Sequence, residues 1–484
     1  MAEPRTGTQQ PDQQRSGQQR SGQQRSGQQR SGEQRSGARG SVDPARLAAL
    51  DVLKAVRVDQ AYTNLVLPAV LRHHGLTGRD AAFVTELASG TIRRRGTYDA
   101  ILAACVDRPL SKVEAKVLDA LRLGTHQLLS MRVPTHAAIS TTVDLVRAKV
   151  SSGAAGFANA VLRRVAEQEL AEWIGRVAPD PRVAPVRFAS IAYSHPQWVV
   201  EELRNAVGWN ELHDLLAADN EPPRVTLVAR PGRATREELP GEPTPWSPYG
   251  VVLEGGDPGA VPAVAEGRAG VQDEGSQLVA MALAAAPVEG EDRTWLDLCA
   301  GPGGKAALLA ALAGRRGARL VAGERQPHRA RLVTRALEGA DGVLGVVAAD
   351  GTAPPWRSGS FDRILVDAPC TGLGALRRRP EARWRRKADD LLALVLLQRA
   401  LVGSALELVR PGGVVLYATC SPVLAETEGV VTSVLQTHPE ATLEDATTLL
   451  PGVPNCAGPT PGTVQLWPHR HGTDAMFMAL FRRS

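Results

Sequence analysis

From Arg293 onward the chain alternates short apolar runs with helical stretches, and that alternation restricts its second half to one architecture. TWLDLC, RLVAGE, VLGVVAAD, RILVDAPC and GVVLYATC read as buried strands. GKAALLAALA, PHRARLVTRALE and a long stretch around Asp389 to Val409 read as the helices between them. Strands joined by crossover helices pair in parallel, with helices on both faces. The expectation is an α/β fold with a doubly wound sheet, closed by an antiparallel edge strand near Ala475 to Phe481.

Such sheets bind ligands at the carboxyl ends of their strands, and reactive residues concentrate there. The first strand runs through Asp297 into Cys299-Ala300-Gly301-Pro302-Gly303-Gly304-Lys305, a turn of small residues that leaves the backbone bare beside a ligand. It has neither dinucleotide-fingerprint nor P-loop spacing. Glu324, Asp350 and Asp367 close the next three strands, so three carboxylates share one edge. Glu324 suits ribose hydroxyls and argues against a 2′-phosphate. Asp350 suits an adenine amino group, and Asp367 faces the reacting centre. S-adenosylmethionine is the nucleoside-bearing cofactor that fits this set best.

Two cysteines follow strand ends in the same way, in Asp367-Ala368-Pro369-Cys370-Thr371-Gly372 and Tyr417-Ala418-Thr419-Cys420-Ser421. Neighbouring strands lie about 4.8 Å apart, so thiols on adjacent strands flank one substrate, a pattern for covalent chemistry. Either thiol is a candidate nucleophile, and buried packing cysteines are the alternative. The remaining cysteines, Cys105, Cys299 and Cys456, form no zinc or redox spacing, so a reduced, metal-free protein is expected, with Cys299 packing under the turn.

The chain has 484 residues, 43% hydrophobic, enough for about three domains. No run of 18 apolar residues and no apolar leader is evident, so no membrane partner and a cytoplasmic location are expected. The net charge of +5 belongs mostly to residues 1–40, where seven arginines face Glu3, Asp12 and Glu33. Within that tail QQRSG repeats four times and EQRSG once, with nothing apolar to bury, so residues 1–42 are expected to be disordered. Residues 43–175 carry about six amphipathic stretches, the first capped by Asp43-Pro44, and read as an all-α domain. A linker over 176–190, a small α+β segment over 191–288 and the α/β domain over 289–484 complete the expected organisation.

LDLCAGPGGK, VDAPCTGLGALRRRPEARW and YATCS resemble, in order, the signatures of the S-adenosylmethionine-dependent RNA cytosine-5 methyltransferases. VQDEGSQLVA and YSHPQW resemble that family's upstream segments, and the helical region resembles the NusB-like RNA-binding domain of its 16S ribosomal RNA branch, the Sun/Fmu or RsmB type. The resemblance spans about residues 43–484 and implies a Rossmann-like class I methyltransferase domain. It further implies Cys420 as nucleophile on cytosine C6, Cys370 as the group that promotes product release, and Lys305 among the cofactor-site residues. Two departures stand out: Glu324 where Asp is usual, and TDAMFMALF where a DGFF-like segment is common.

Arg377 to Lys387 reads RRRPEARWRRK, seven basic residues against Glu381. Arg377, Arg378, Arg379, Arg383, Arg385 and Arg386 are candidate phosphate ligands and Trp384 a stacking face. Arg93, Arg94, Arg95, Arg163 and Arg164 are further phosphate candidates, whereas His73, His74, His469 and His471 read as surface histidines. The implied partner is 16S rRNA, naked or partly assembled, bound by a monomer. A tRNA substrate, or a non-catalytic assembly factor, is the alternative reading.

Overall fold

A computed structural model describes residues 42–484, and the repeat tail expected to be disordered lies outside the described residues. The helical region opens where Asp43 accepts from the Arg46 amide at 2.8 Å and Pro44 takes the first helical position. It contains α1 (Pro44–Val58), α2 (Thr63–His73), α3 (Gly78–Arg93), α4 (Arg95–Cys105), α5 (Ala115–Leu129), α6 (Thr135–Lys149), α7 (Ser152–Val165) and α8 (Leu170–Val177). That is two helices more than the six stretches noted above. The extra pair is α4, which abuts α3 after a one-residue break, and α8, held by a capping box of Glu169 and Glu172. Two apolar cores, around Leu87 and Ile101, hold these helices together.

Residues 178–184 lead to α9 (Pro185–Ala192) and α10 (Gln197–Ala218), and α10 is two helices broken at Gly208, whose φ is 73°. Next come β1 (Thr226–Ala229), β2 (Glu242–Pro243), β3 (Gly250–Val252), α11 (Pro262–Ala265) and β4 (Ala269–Val271), a small antiparallel sheet in the order β2-β3-β1-β4. Then α12 (Glu274–Ala285) leads into the large sheet.

That sheet is built from β5 (Thr294–Asp297), α13 (Gly304–Gly314), β6 (Arg319–Gly323), α14 (Pro327–Leu337), β7 (Val343–Val347), β8 (Phe361–Asp367), α15 (Ala382–Arg385), α16 (Asp390–Leu408) and β9 (Val409–Thr419). It ends with α17 (Glu428–Thr437), β10 (Ala441–Glu444), β11 (Val464–Gln465), α18 (Pro468–His471) and β12 (Phe477–Arg483). The strand order is β10-β12-β9-β8-β5-β6-β7, with β5 to β9 parallel. The chain winds from β5 outward to β7, returns to β8 beside β5, and then winds the other way. The β5/β8 boundary is therefore the topological switch point, the place where such sheets bind ligands.

The last strand corrects one expectation. β12 is antiparallel, but it lies inside the sheet between β9 and β10, and the short β10 takes the edge. Its residues from Phe477 to Phe481 are buried accordingly. α16 is long and apolar enough by composition to cross a membrane. It instead lays Leu401, Val402, Ala405 and Leu406 on the core beneath β8 and β9. Val42–Ser484 forms one compact unit, so the helical region and the α/β region are packed against each other.

Candidate active site

The carboxyl ends of β5, β8 and β9 converge. Asp297 pairs in register with Leu365 on β8, and Asp367 with Ala418 on β9. Asp297 is fully buried and its Oδ2 has no hydrogen-bond partner. Burial, with the Asp367 charge added to it, pushes its carboxyl up to about 8 despite the Lys305 cation nearby. Lys305, at the amino end of α13, is drawn to a carboxylate that offsets the unfavourable helix dipole there. Its Nζ lies 2.9 Å from Asp367 Oδ2. Burial lowers the Lys305 ammonium, and Asp367 more than offsets it, leaving the group above its ordinary range.

Between Asp297 and Lys305 the chain turns through Cys299 to Gly304. Gly303 has φ 115°, outside the range side chains tolerate, and a Cβ on Gly301 would run into the Glu324 carboxylate. Glu324 is buried at the end of β6, where Oε1 accepts from the Gln326 amide at 2.8 Å and Oε2 lies 3.5 Å from Arg329. Asp350 stands three residues beyond β7, 43% exposed and 3.5 Å from Arg325. Cys299 is half-buried against the core, and Ala300 is buried. The turn, Glu324 and Asp350 thus line the side of the switch point that leads toward β7.

On the other side, Cys370 Sγ and Cys420 Sγ are 3.4 Å apart. The hydrogen bond from Cys370 is the largest influence on Cys420 and holds its thiol below the ordinary value, with Arg379 and Lys305 acting in the same sense. The same bond, together with burial, drives the Cys370 thiol well upward. The two sulfurs are within hydrogen-bond reach of each other, and the pull of Arg379 and Lys305 falls on Cys420.

One residue that sequence reasoning missed ties both thiol turns together. Glu426 is fully buried, and its Oε1 accepts from the Thr371 amide at 2.8 Å and from Gln398 Nε2 at 2.9 Å. Its Oε2 accepts from Thr371 Oγ1 at 2.5 Å and Ser421 Oγ at 2.6 Å. Asp297 was also passed over as a site residue; an acid opening the Gly-rich turn was the available signal.

The basic run departs from its expected role. Arg383 is completely buried, donating to the carbonyls of Arg93, Ser194 and Asp219 and to Asn220 Oδ1 at 2.9–3.3 Å. Trp384 donates its indole N–H to the Ile92 carbonyl at 2.9 Å and packs against the α1/α3 core. Arg378 is paired with Asp273 and Asp474, and Arg377 donates to the Gly472 carbonyl at 2.8 Å. Arg377, Arg378 and Arg383 therefore spend their charge inside the protein, where unpaired carbonyls and carboxylates would otherwise be costly. Arg379, Arg385 and Arg386 keep partial exposure. Arg93 is buried too, whereas Arg163 and Arg164 are exposed. His469, bonded to Glu211 at 2.9 Å, and His471, which accepts from the Trp467 amide, are interior rather than surface histidines.

A doubly wound sheet with a nucleoside-cofactor cradle at its switch point and two thiols beside it defines a Rossmann-like methyltransferase, the class that takes S-adenosylmethionine. Residues 281–482 match the 16S rRNA methyltransferase RsmB/F family, and residues 43–167 match the NusB family. The chain is 51% identical over 452 residues to the putative methyltransferase Rv1407 of Mycobacterium tuberculosis, covering 92% of this chain and 98% of that one. It is 30% identical to the probable ribosomal RNA small subunit methyltransferase B of Bacillus subtilis, covering 90% and 98%. The crystal structure of PH0851 shares the fold with a TM-score of 0.74 at 23% identity, over 92% of this chain and all of that one. The chain belongs to the RsmB/F family of 16S rRNA methyltransferases and carries a NusB domain at its helical end.

Proposed function

We propose that the chain methylates C5 of a cytosine in 16S ribosomal RNA, with S-adenosylmethionine as donor and a covalent Cys420–C6 adduct as intermediate. The residues fit that cofactor. The unpartnered Asp297 Oδ2, the bare backbone at Gly301 and Gly303 and the buried Glu324 suit a cationic, ribose-bearing ligand. Cys299 to Lys305 and Asp297 would hold its amino-acid end, Glu324 its ribose and Asp350 its adenine. The bound cofactor supplies an electrophilic methyl group.

Cytosine C5 is a poor nucleophile, so a thiolate first adds to C6 and raises the electron density at C5. In this reading Cys420 is the thiolate and Cys370 donates to it; the 3.4 Å contact and the lowered Cys420 thiol support the assignment. Asp367, anchored by Lys305, takes the N3 and amino edge of the base as the adduct gains a proton. After methylation the C5 proton passes to water, its electron pair restores the C5–C6 double bond, and the C6–S bond breaks with its pair returning to Cys420 as thiolate. The Cys370 S–H meets the departing sulfur, restores the resting pair and so promotes release. The target base leaves its stack to reach these groups, at a cost of a few kcal/mol.

The 3.4 Å pairing of the two thiols at the ends of β8 and β9 is the observation that carries this reading. Incubation with unmodified 16S rRNA and labelled S-adenosylmethionine, followed by mapping, tests it. One labelled 5-methylcytosine in that RNA is expected. Label confined to tRNA, or to positions other than cytosine C5, overturns it.

A further inference from the structure

A cavity of about 270 Å³ lies between the helical region and the turn that follows the Cys370 loop. Its walls come from the end of α1, the α3/α4 junction and residues 381–385. The volume falls just below the range of ligand pockets, about 300–1,000 Å³, and suits a single nucleobase better than an extended ligand. Arg57 and Arg122 are paired with Asp119 and Asp99, so the cations the cavity offers a ligand are Arg385 and the exposed Arg95, which lies 3.7 Å from Asp99.

The cationic surface is combined with stacking faces. The Arg95 guanidinium lies over the Trp384 ring at 5.7 Å and is 45% exposed, so its open face extends the indole stack toward solvent. At the rim, Tyr62 is 39% exposed beneath two guanidiniums, Arg379 at 5.4 Å and Arg385 at 4.7 Å. Glu381 brings an unused acceptor. Its Oε2 accepts from Thr63 Oγ1 at 2.6 Å, and its buried Oε1 has no partner. Gln60, on the same wall, holds a left-handed backbone with φ 52°, a strain that clusters at binding sites. Arg386, next to the cavity-lining Arg385, donates to the Cys370 carbonyl at 3.3 Å, so the same run joins the cavity wall to the Cys370 loop.

We infer that this cavity receives one unpaired nucleotide flanking the methylated cytosine, stacked on the Arg95–Trp384 pair with its phosphate among Arg95 and Arg385. The inference rests on the RNA-substrate reading above. Glu381 Oε1 offers an acceptor to the amino or imino donor that each of the four bases carries on its edge.

Short RNAs centred on the mapped cytosine, each with one neighbouring nucleotide made abasic, test the pocket. They are titrated by fluorescence anisotropy against the full chain and against Arg95→Ala and Tyr62→Ala, with methyl transfer followed in parallel. Loss of one flanking base is expected to weaken binding about tenfold, in line with a base–side-chain stack. The same loss should cost either variant less than threefold. Equal penalties in all three proteins at every position overturn the pocket, and so does wild-type binding with no positional loss. RNA displaced by an equimolar free nucleoside monophosphate overturns the chain-linked ligand. Position-specific coupling to Arg95 without methylation at C5 supports the pocket and overturns the chemistry instead.

Discussion

Thr371 Oγ1 and Ser421 Oγ lie 3.1 Å apart, and both donate to the same carboxylate oxygen of Glu426. Each hydroxyl belongs to the residue that follows a reactive cysteine, so one buried side chain sets the separation of the two thiols. Glu426→Ala leaves four buried donors without an acceptor, which costs at least ~3 kcal/mol at about 1–3 kcal/mol each, reduced by relaxation. Glu426→Gln is much milder. The amide oxygen can serve the two fixed N–H groups of Thr371 and Gln398, while its NH2 faces hydroxyls able to reverse direction. Chemical denaturation and single-turnover kinetics should give the order wild type, Gln, Ala for both stability and rate. Equal rates for Gln and Ala variants at matched stability would remove Glu426 as a positioning residue.

Cys370 as donor implies a measurable asymmetry between the thiols. Peptide-resolved alkylation with iodoacetamide should give Cys420 a half-maximal pH below the free-thiol value of about 8.5, with Cys370 silent across the same range. Cys370→Ala removes the donor, so the Cys420 midpoint rises; Cys370→Ser keeps a donor and restores part of the shift. A midpoint unmoved by Cys370→Ala contradicts the assigned polarity.

The same asymmetry predicts opposite fates for the two variants on RNA. Cys420→Ala has no nucleophile and should lose methyl transfer by several orders of magnitude while still binding cofactor. Cys370→Ala can form the adduct but lacks the donor that meets the leaving sulfur. It should accumulate a protein–RNA species that survives a denaturing gel. Accumulation in Cys420→Ala instead would exchange the roles.

Arg383 holds the helical region against the catalytic half through its bonds to Arg93, Ser194, Asp219 and Asn220. Burial lowers its guanidinium to about 9, and burial also raises the neighbouring Asp219 carboxyl to about 7 against the pull of Arg383. Arg383→Ala strands four neutral acceptors in the interior, at about 1–3 kcal/mol each, reduced by relaxation. Limited proteolysis should then cut between α8 and α10 earlier than in wild type. An unchanged cleavage rate at equal protease concentration would show that Arg383 is not the fastening.

These examples also mark how far the sequence could be read. Cys370, Cys420, Asp367 and the Gly301–Lys305 turn were legible because each stands within a few residues of a strand end, where local order determines which edge a residue occupies. Glu426 was not, since its role exists only where the ends of β8 and β9 meet α16. The internal bonds of Arg377, Arg378 and Arg383 within RRRPEARWRRK escape the sequence for a related reason. A charge run is ordinarily solvated, and the acceptors that hold Arg383 in the interior come from residues 163 to 290 positions away. β12 reads as an edge in the sequence because β10, only four residues long and half polar, gives little periodic signal.

Asp297 supplies a test through pH. Its carboxyl titrates near 8 in the folded chain, against about 3.9 when unfolded. Between those values the folded state holds a proton that the unfolded state has released, so stability from this group falls as pH rises. The slope is at most about 1.4 kcal/mol per pH unit. The contribution is whole below about pH 4 and gone above about pH 8. Asp297→Asn carries no such proton, so its cofactor-free unfolding free energy should decline less from pH 5 to 8 than that of wild type. The variant should also bind S-adenosylmethionine more weakly, because the carboxylate that a cationic ligand would call into ionised form is absent. Isothermal titration in buffers of different ionisation enthalpy reads this directly. Wild type should release protons on binding at pH 7, and Asp297→Asn should release fewer. Identical proton release and identical pH slopes in the two proteins would mean that Asp297 is already ionised in the empty site, and its unpartnered oxygen would then have no part in cofactor capture.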